Sequence, residues 1–277
     1  MKFSMYAPLP ITSPLRLYLA LLLWCVTPVS AFPQLLEVDD LETFALPADV
    51  LKQESTADVK RAADLIVDET NKFRENQKLQ RLETNRKLME TARDFADFMA
   101  RTDQYGHTAD GERPSQRVKQ HGYEYCVVAE NIAYQFSSLG FATEELAENF
   151  FAGWKHSPGD RENLLTPAVT ETGVAIAQSD TTGYFYAVQI FGRPKSKQIT
   201  FQVTNQSDTT VQYKIGDRIF PLPPRFTRTH KRCRPTELVF VWQEETAAQT
   251  KIFAAANGAH FVIAKDGQSV TVEKKRE

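Results

Sequence analysis

Apolar positions recur at helical spacing through the first half of the chain and at period two through the last third. Val59, Ala62, Ala63, Ile66, Val67, Thr70 and Phe73 fall on one stripe of a helix. Ser55 or Thr56 is its predicted cap, with Asp58 in the first turn, where the helix dipole favours an acid. Leu88, Ala92, Phe95, Ala96 and Met99 mark a second helix, and its small Ala residues predict close packing against a neighbour. The Gly content of Gly106–Gly111 predicts a loop. Pro114–Gln120 reads as a short helix stopped by Gly122, and Tyr123–Val128 as a strand leading into Glu130. Thr143 is the predicted cap of a further helix that turns Leu146, Phe150 and Trp154 inward, and Ser157-Pro158-Gly159 breaks it. Arg161–Leu165 adds a helical turn. Thr172–Gln178 and Tyr184–Phe191 then form a hairpin. Helices on both faces of a small, mostly antiparallel sheet make an α-β-α sandwich of three layers.

After Pro194 the pattern becomes strict alternation. Ile199–Thr204, Thr210–Ile215, Arg218–Leu222, Arg225–His230, Leu238–Trp242, Lys251–Ala255, His260–Ala264 and Ser269–Glu273 are short β runs separated by Gly, Asn and Asp turns. This spacing predicts a small all-β sandwich or barrel over residues 195–277. The whole chain is therefore α+β.

The start of the chain is set apart by its polarity. Leu17–Val26 is an apolar run behind Lys2 and Arg16, and Val29-Ser30-Ala31 fits the small-x-small cleavage rule. The run is shorter than the roughly 20 apolar residues of a transmembrane helix. Residues 1–31 thus read as a signal peptide and the mature chain as beginning at Phe32, which predicts a secreted or periplasmic protein. Residues 32–57, acidic and without period, read as a linker or arm.

Charge is divided unevenly. The chain carries a formal −2, yet residues 195–277 hold 14 Lys/Arg against 8 Asp/Glu, a net of +6. The part from Phe32 to Pro194 is correspondingly acidic, which favours docking of the two parts. Export and the acidic total argue against a nucleic-acid partner. The basic residues concentrate in Arg225, Arg228, His230, Lys231, Arg232 and Arg234. Such a run suits contact with an anionic cell-surface polymer, or serves as a charged edge strand that resists aggregation. Two cysteines outlast the leader, Cys126 and Cys233, one in each part. In an exported chain they predict an intramolecular disulfide.

The chemistry-bearing residues lie between Tyr105 and Pro167: Gly106-His107-Thr108, then Ala129-Glu130-Asn131-Ile132-Ala133, then Trp154-Lys-His-Ser-Pro-Gly-Asp-Arg-Glu-Asn-Leu-Leu165. In this order they resemble the signature of the CAP superfamily (cysteine-rich secretory, antigen-five and plant pathogenesis-related proteins), in its short bacterial form. The resemblance covers about half of the chain, taken as residues 58–194, and implies the same α-β-α sandwich. It also implies a cleft lined by His107, Glu130, Asn131, Trp154, Ser157 and Asp160. Two His and two Glu line that cleft in the family. Here Asp160 stands at the second His position and Ser157 at the second Glu position, so the cleft is degenerate.

A metal at His107 and Asp160 would be Zn²⁺ or Ca²⁺, held by a mixed imidazole and carboxylate set. The rival assignment is a hydrogen-bonded network that holds the cleft walls together. No Gly-x-Ser-x-Gly elbow is present, and no residue is assigned as catalytic. The resemblance implies an extracytoplasmic binding module for a small lipid or an envelope polymer. The alternatives are a metal-assisted or His-carboxylate hydrolase and an envelope adhesion or scaffold protein.

Overall fold

A computed structural model describes residues 57–244, 247–266 and 269–275. The predicted leader (1–31), the arm up to residue 56 and the Ser55 or Thr56 cap lie outside the described residues. The first helix, α1 (Val59–Asn76), is instead capped by Asp58, whose side chain accepts from the Arg61 backbone N–H. An Asp at this position satisfies one of the four orphan donors of the helix start. After a two-residue strand, β1 (Glu83–Thr84), comes α2 (Arg86–Thr102), capped by Asn85. Then follow α3 (Pro114–Gln120), β2 (Tyr125–Gln135), α4 (Thr143–His156), α5 (Pro158–Leu165), β3 (Glu171–Gln178) and β4 (Phe185–Pro194).

Two predicted details change. Thr143 is the first residue of α4 rather than its cap; its hydroxyl accepts from the Asp58 backbone N–H and so ties the starts of α1 and α4 together. The strand entered at Tyr125 continues through Glu130 and Asn131 to Gln135, because Val127 to Gln135 pair residue for residue with β4.

The sheet order is β1-β3-β4-β2. Its central strand β4 is buried on both faces, and alternation splits its side chains between two cores. Phe185, Ala187 and Phe191 pack with Ile66 of α1, with Phe150 and Trp154 of α4 and with Leu164 of α5. Tyr186, Val188 and Ile190 pack with Leu88, Ala92, Phe95 and Met99 of α2 and Val118 of α3. This is the three-layer sandwich that the periodicity predicts.

The Ala stripe of α2 does bring helix and sheet together. At Gly173 of β3 an added Cβ would run into the backbone of Leu88 and Met89. Gly173→Ala is therefore expected to destabilise by about 1–3 kcal/mol, the usual cost of overpacking, because backbone cannot swing aside as a side chain can. Urea denaturation checks this, and an unchanged midpoint would contradict it.

Beyond a 3-10 turn at Lys195–Lys197 the chain is all β: β5 (Ile199–Asn205), β6 (Val211–Ile215), β7 (Arg218–Leu222), β8 (Thr227–Arg232), β9 (Glu237–Glu244), β10 (Ala247–Ala254), β11 (His260–Asp266) and β12 (Ser269–Lys275). They form two sheets, ordered β10-β9-β6-β7 and β12-β11-β5-β8. Phe201, Val203, Phe261 and Ile263 from one sheet meet Tyr213, Leu222, Leu238 and Phe240 from the other in a single core. Of the two predicted forms, sandwich and barrel, the sandwich is the one adopted, and among the described residues the strands form no closed barrel. Strand β8 begins at Thr227, two residues later than its alternation suggested, because Arg225 takes a left-handed φ of 61° after Pro223-Pro224 and makes a turn.

Cys126 and Cys233 are joined as a disulfide. Cys126 stands at a bulge in the β2–β4 ladder; such a bulge re-aims a side chain out of the sheet. Nearby, the Lys195 backbone N–H donates to the Glu124 carbonyl at 2.8 Å. The sandwich is thus attached to the C-terminal sheets by covalent and backbone bonds. An ion pair at this junction, Lys195 with Glu124, spans 4.0 Å between exposed side chains, and such a pair is worth about 0–1 kcal/mol.

Candidate functional site

Three elements deliver the polar residues of the cleft. Glu130 and Asn131 are consecutive on β2, so they face opposite sides of the sheet edge. Glu130 turns toward α3, where its side chain is 1% exposed and meets Arg117. The Arg117 Nη2 donates to Oε2 at 2.8 Å and to Oε1 at 3.1 Å. The same guanidinium donates to Asp110 Oδ1 (2.8 Å) and to the carbonyls of Glu112 (3.0 Å) and His107 (3.0 Å). It also lies 3.6 Å over the Phe95 ring of α2. One cation therefore staples the Gly106–Gly111 loop to both β2 and α2. His107, carried by that loop, sets Nδ1 2.8 Å from Glu130 Oε1, and its side chain remains 47% exposed.

On the other side, Asn131 fixes α5. Its Nδ2 donates to the Asp160 carbonyl at 3.2 Å, and its Oδ1 accepts from Asn163 at 2.9 Å. Asn163 also donates to the Glu130 carbonyl at 3.3 Å. Asp160 is thereby held facing the His107 loop. Burial pushes its carboxyl above the usual carboxylate range, while a hydrogen bond from Ser157 and the nearby His107 pull the other way. Tyr105 closes this end, donating its hydroxyl to the Ile132 carbonyl at 3.0 Å. Burial and the charge of Asp160 push that hydroxyl well above its ordinary pKa.

The structure thus brings together His107, Glu130, Asn131, Ser157 and Asp160 from the predicted cleft. Trp154 does not join them. It is 1% exposed and stacks on Phe150 inside the core, because α4 turns its apolar stripe onto the sheet. Asn131 sits within strand β2. His156 caps its own helix through the Ala152 carbonyl at 2.7 Å, away from Asp160. Arg117 is a site residue that the sequence pattern did not single out. A signal was available: an acid carried on a buried strand needs a cationic partner, and the preceding short helix offers Arg117. Also missed was an aromatic shelf beside Tyr105. Tyr134 lies edge-on to Tyr105 at 4.9 Å and to Tyr184 at 5.6 Å, and Phe136 follows at 5.1 Å from Tyr184. Tyr105, Tyr134 and Phe136 are each about half exposed.

This donor set does not fit a metal ion. Both oxygens of Glu130 are bonded to Arg117 and one also to His107, which leaves His107 Nε2 and Asp160. Among the described residues, no three His, Cys, Asp or Glu groups converge as ligands. Zn²⁺ asks for three or four such donors and Ca²⁺ for six or more oxygens.

The basic run of the C-terminal sheets is not one face. Arg225 lies in the turn before β8 and Arg234 beyond its end, and Lys231 alternates away from Arg228, His230 and Arg232. His230 is buried, with Nε2 2.6 Å from the Tyr213 hydroxyl. Burial, then Arg232, Arg228 and Arg218, pull its pKa from 6.5 down to about 4. The folded value is the depressed one, so the unfolded chain takes the proton first as pH falls. The associated stability is complete above pH 6.5 and lost on acidification toward pH 4, up to about 3 kcal/mol. Comparing urea midpoints at pH 7 and pH 4.5, the native chain is expected to lose more stability than His230→Gln. Equal losses would contradict this assignment.

An α-β-α sandwich with a His bonded to a Glu at the edge of its sheet defines the class of this part of the chain. The chain carries a domain of the cysteine-rich secretory protein family, CAP, whose family model matches residues 67–191. No curated protein sequence matches the chain. Solved structures similar to it are bacterial. An outer surface protein of Borrelia burgdorferi is 21% identical with a TM-score of 0.44, over 50% of this chain and 96% of that one. An extracellular protein containing an SCP domain from Bacillus anthracis is 23% identical with a TM-score of 0.42, over 53% of this chain and 44% of that one. A cysteine-rich secretory protein of Staphylococcus aureus is 19% identical with a TM-score of 0.37, over 49% and 39%. The match thus spans less than half the length of the Bacillus and Staphylococcus proteins.

Proposed function

We propose that this CAP-domain protein acts outside the cytoplasm as a binding module, taking a lipid or another amphipathic envelope component at the cleft. The observation that carries this reading is the aromatic shelf of Tyr105, Tyr134 and Phe136, each about half exposed, with Tyr184 packed against it and Tyr105 close to Asp160. Aromatic rings offer large contact area at low entropic cost. The polar groups beside them would orient the head of such a ligand, as a few placed polar groups do in ligand sites generally. The Arg117–Glu130 pair acts as the frame.

Solvent extraction of the exported protein followed by mass spectrometry tests this. The native chain is expected to retain a lipid that the double variant Tyr134→Ser/Phe136→Ser loses. Identical extracts from the two would overturn the reading. The hydrolytic alternative draws on one feature, the orientation of His107 by Glu130, which leaves Nε2 exposed as a base would be. Among the described residues no hydroxyl or thiol is bonded to His107, so water would have to be the nucleophile. Turnover of a peptide or glycan substrate, abolished in His107→Gln, would favour that alternative.

A further inference from the structure

Strands β7 and β8 are the edge strands of the two C-terminal sheets, and the turn through Arg225 connects them. At the mouth between them three guanidinium groups gather on one ring. Arg218 of β7 lies 5.0 Å from the Phe220 centroid, Arg228 of β8 5.7 Å and Arg232 of β8 5.9 Å. Tyr213 lies nearly parallel to Phe220 at 5.6 Å, and His230 stands steeply inclined to it at 4.9 Å. Period two explains the convergence: Arg218 and Phe220 share a side of β7, and Arg228, His230 and Arg232 share a side of β8. Among the described residues none of the three pairs with a carboxylate, although elsewhere in the chain Arg117 finds two.

We infer that Arg218, Arg228 and Arg232 form a binding site for a phosphate group at the mouth of the C-terminal sandwich. Like charges held this close repel, and a ligand that carries their counter-charge relieves the repulsion. Guanidinium forks match the oxygens of a phosphate two at a time. The Phe220 ring holds the forks in place by cation–π contact, so less freedom is lost on binding. The Tyr213 hydroxyl, next to Arg228, shares a 2.6 Å hydrogen bond with Nε2 of His230. The low pKa of His230, imposed by burial and by all three guanidiniums, fits the same positive field. The site owes nothing to the cleft of the CAP domain and stands or falls apart from it. It also differs from the basic run read from the sequence, for it gains Arg218 and loses Arg225, Lys231 and Arg234.

The test is calorimetric titration of the full chain with inorganic phosphate at constant ionic strength. Saturable binding to one site is expected, weakened about tenfold or more in Arg218→Gln and in Arg232→Gln, the effect of losing a charge-assisted hydrogen bond. Arg225→Gln and Lys231→Gln change the net charge equally but leave the site alone, and should bind as the native chain does. Occupancy should also raise the titration midpoint of His230 seen by NMR. Vesicles containing phosphatidylglycerol distinguish the source. If they compete with phosphate, the site takes a headgroup; if phosphate binds and they do not compete, it takes a soluble phosphate ester. Both results support the site. Absence of saturable phosphate binding overturns it, as does an equal loss in all four variants, because either would reduce the cluster to the charged guard of two edge strands.

Discussion

Replacing Arg117 with Met is expected to destabilise the protein by about 3–5 kcal/mol, the usual result of removing one partner from a buried ion pair. The side chain of Glu130 is 1% exposed and that of Arg117 6%. Without the guanidinium, Glu130 would keep only its bond to His107, Asp110 only the one from the Glu112 backbone N–H, and two loop carbonyls would lose their donor. The cost comes from leaving charge unpaired in a poorly solvated place, more than from the strength of the bond itself. The double variant Arg117→Met/Glu130→Gln should therefore recover much of the loss, because it leaves no buried charge. Arg117→Lys should not, since one ammonium cannot span Glu130, Asp110 and the loop carbonyls together. Guanidinium denaturation of the three variants measures this. A loss under about 1 kcal/mol in Arg117→Met would show that the network is solvated and contributes little. Heteronuclear NMR of the His107 ring adds a structural readout, because the loop that carries His107 should become mobile in Arg117→Met.

The second large effect is expected from the disulfide. Cys126 and Cys233 are separated by 107 positions. Closing a loop of that length removes up to about 4–5 kcal/mol of chain entropy from the unfolded state. The bond links structures with separate hydrophobic cores, one set in the α-β-α sandwich and one between the C-terminal sheets. Its loss should therefore uncouple them as well as lower stability. In scanning calorimetry, Cys126→Ala/Cys233→Ala is expected to replace one transition with two, the lower belonging to the C-terminal sheets. Coincident transitions, with and without reductant, would mean that the backbone junction at Glu124 and Lys195 already couples them.

Much of this fold is written in local pattern. The helical stripes of α1, α2 and α4 follow from apolar residues three and four apart. The alternation of β4 assigns Phe185 and Ala187 to one core and Tyr186 and Val188 to the other before any packing is known. The order His107, Glu130-Asn131, Ser157 to Asp160 carries the resemblance to the CAP family, and two cysteines, one in each part, suffice to propose their bond. These features depend on chain-local geometry or on counting, which a linear text preserves.

What only the tertiary structure decided are the partners. Glu130 reads in one dimension as an acid beside an Asn. Its environment is set by Arg117, brought from a separate helix because a buried carboxylate must be neutralised. Trp154 belongs to the core because α4 rolls its apolar face onto the sheet, a rotation that spacing within one helix does not distinguish from lining a cleft. The basic run looked continuous as text, but the turn at Arg225 and the alternation of β8 divide it. Arg218, from another strand, completes the cluster at Phe220. Charge and burial are properties of neighbourhoods, and these neighbourhoods are assembled from segments far apart in the chain.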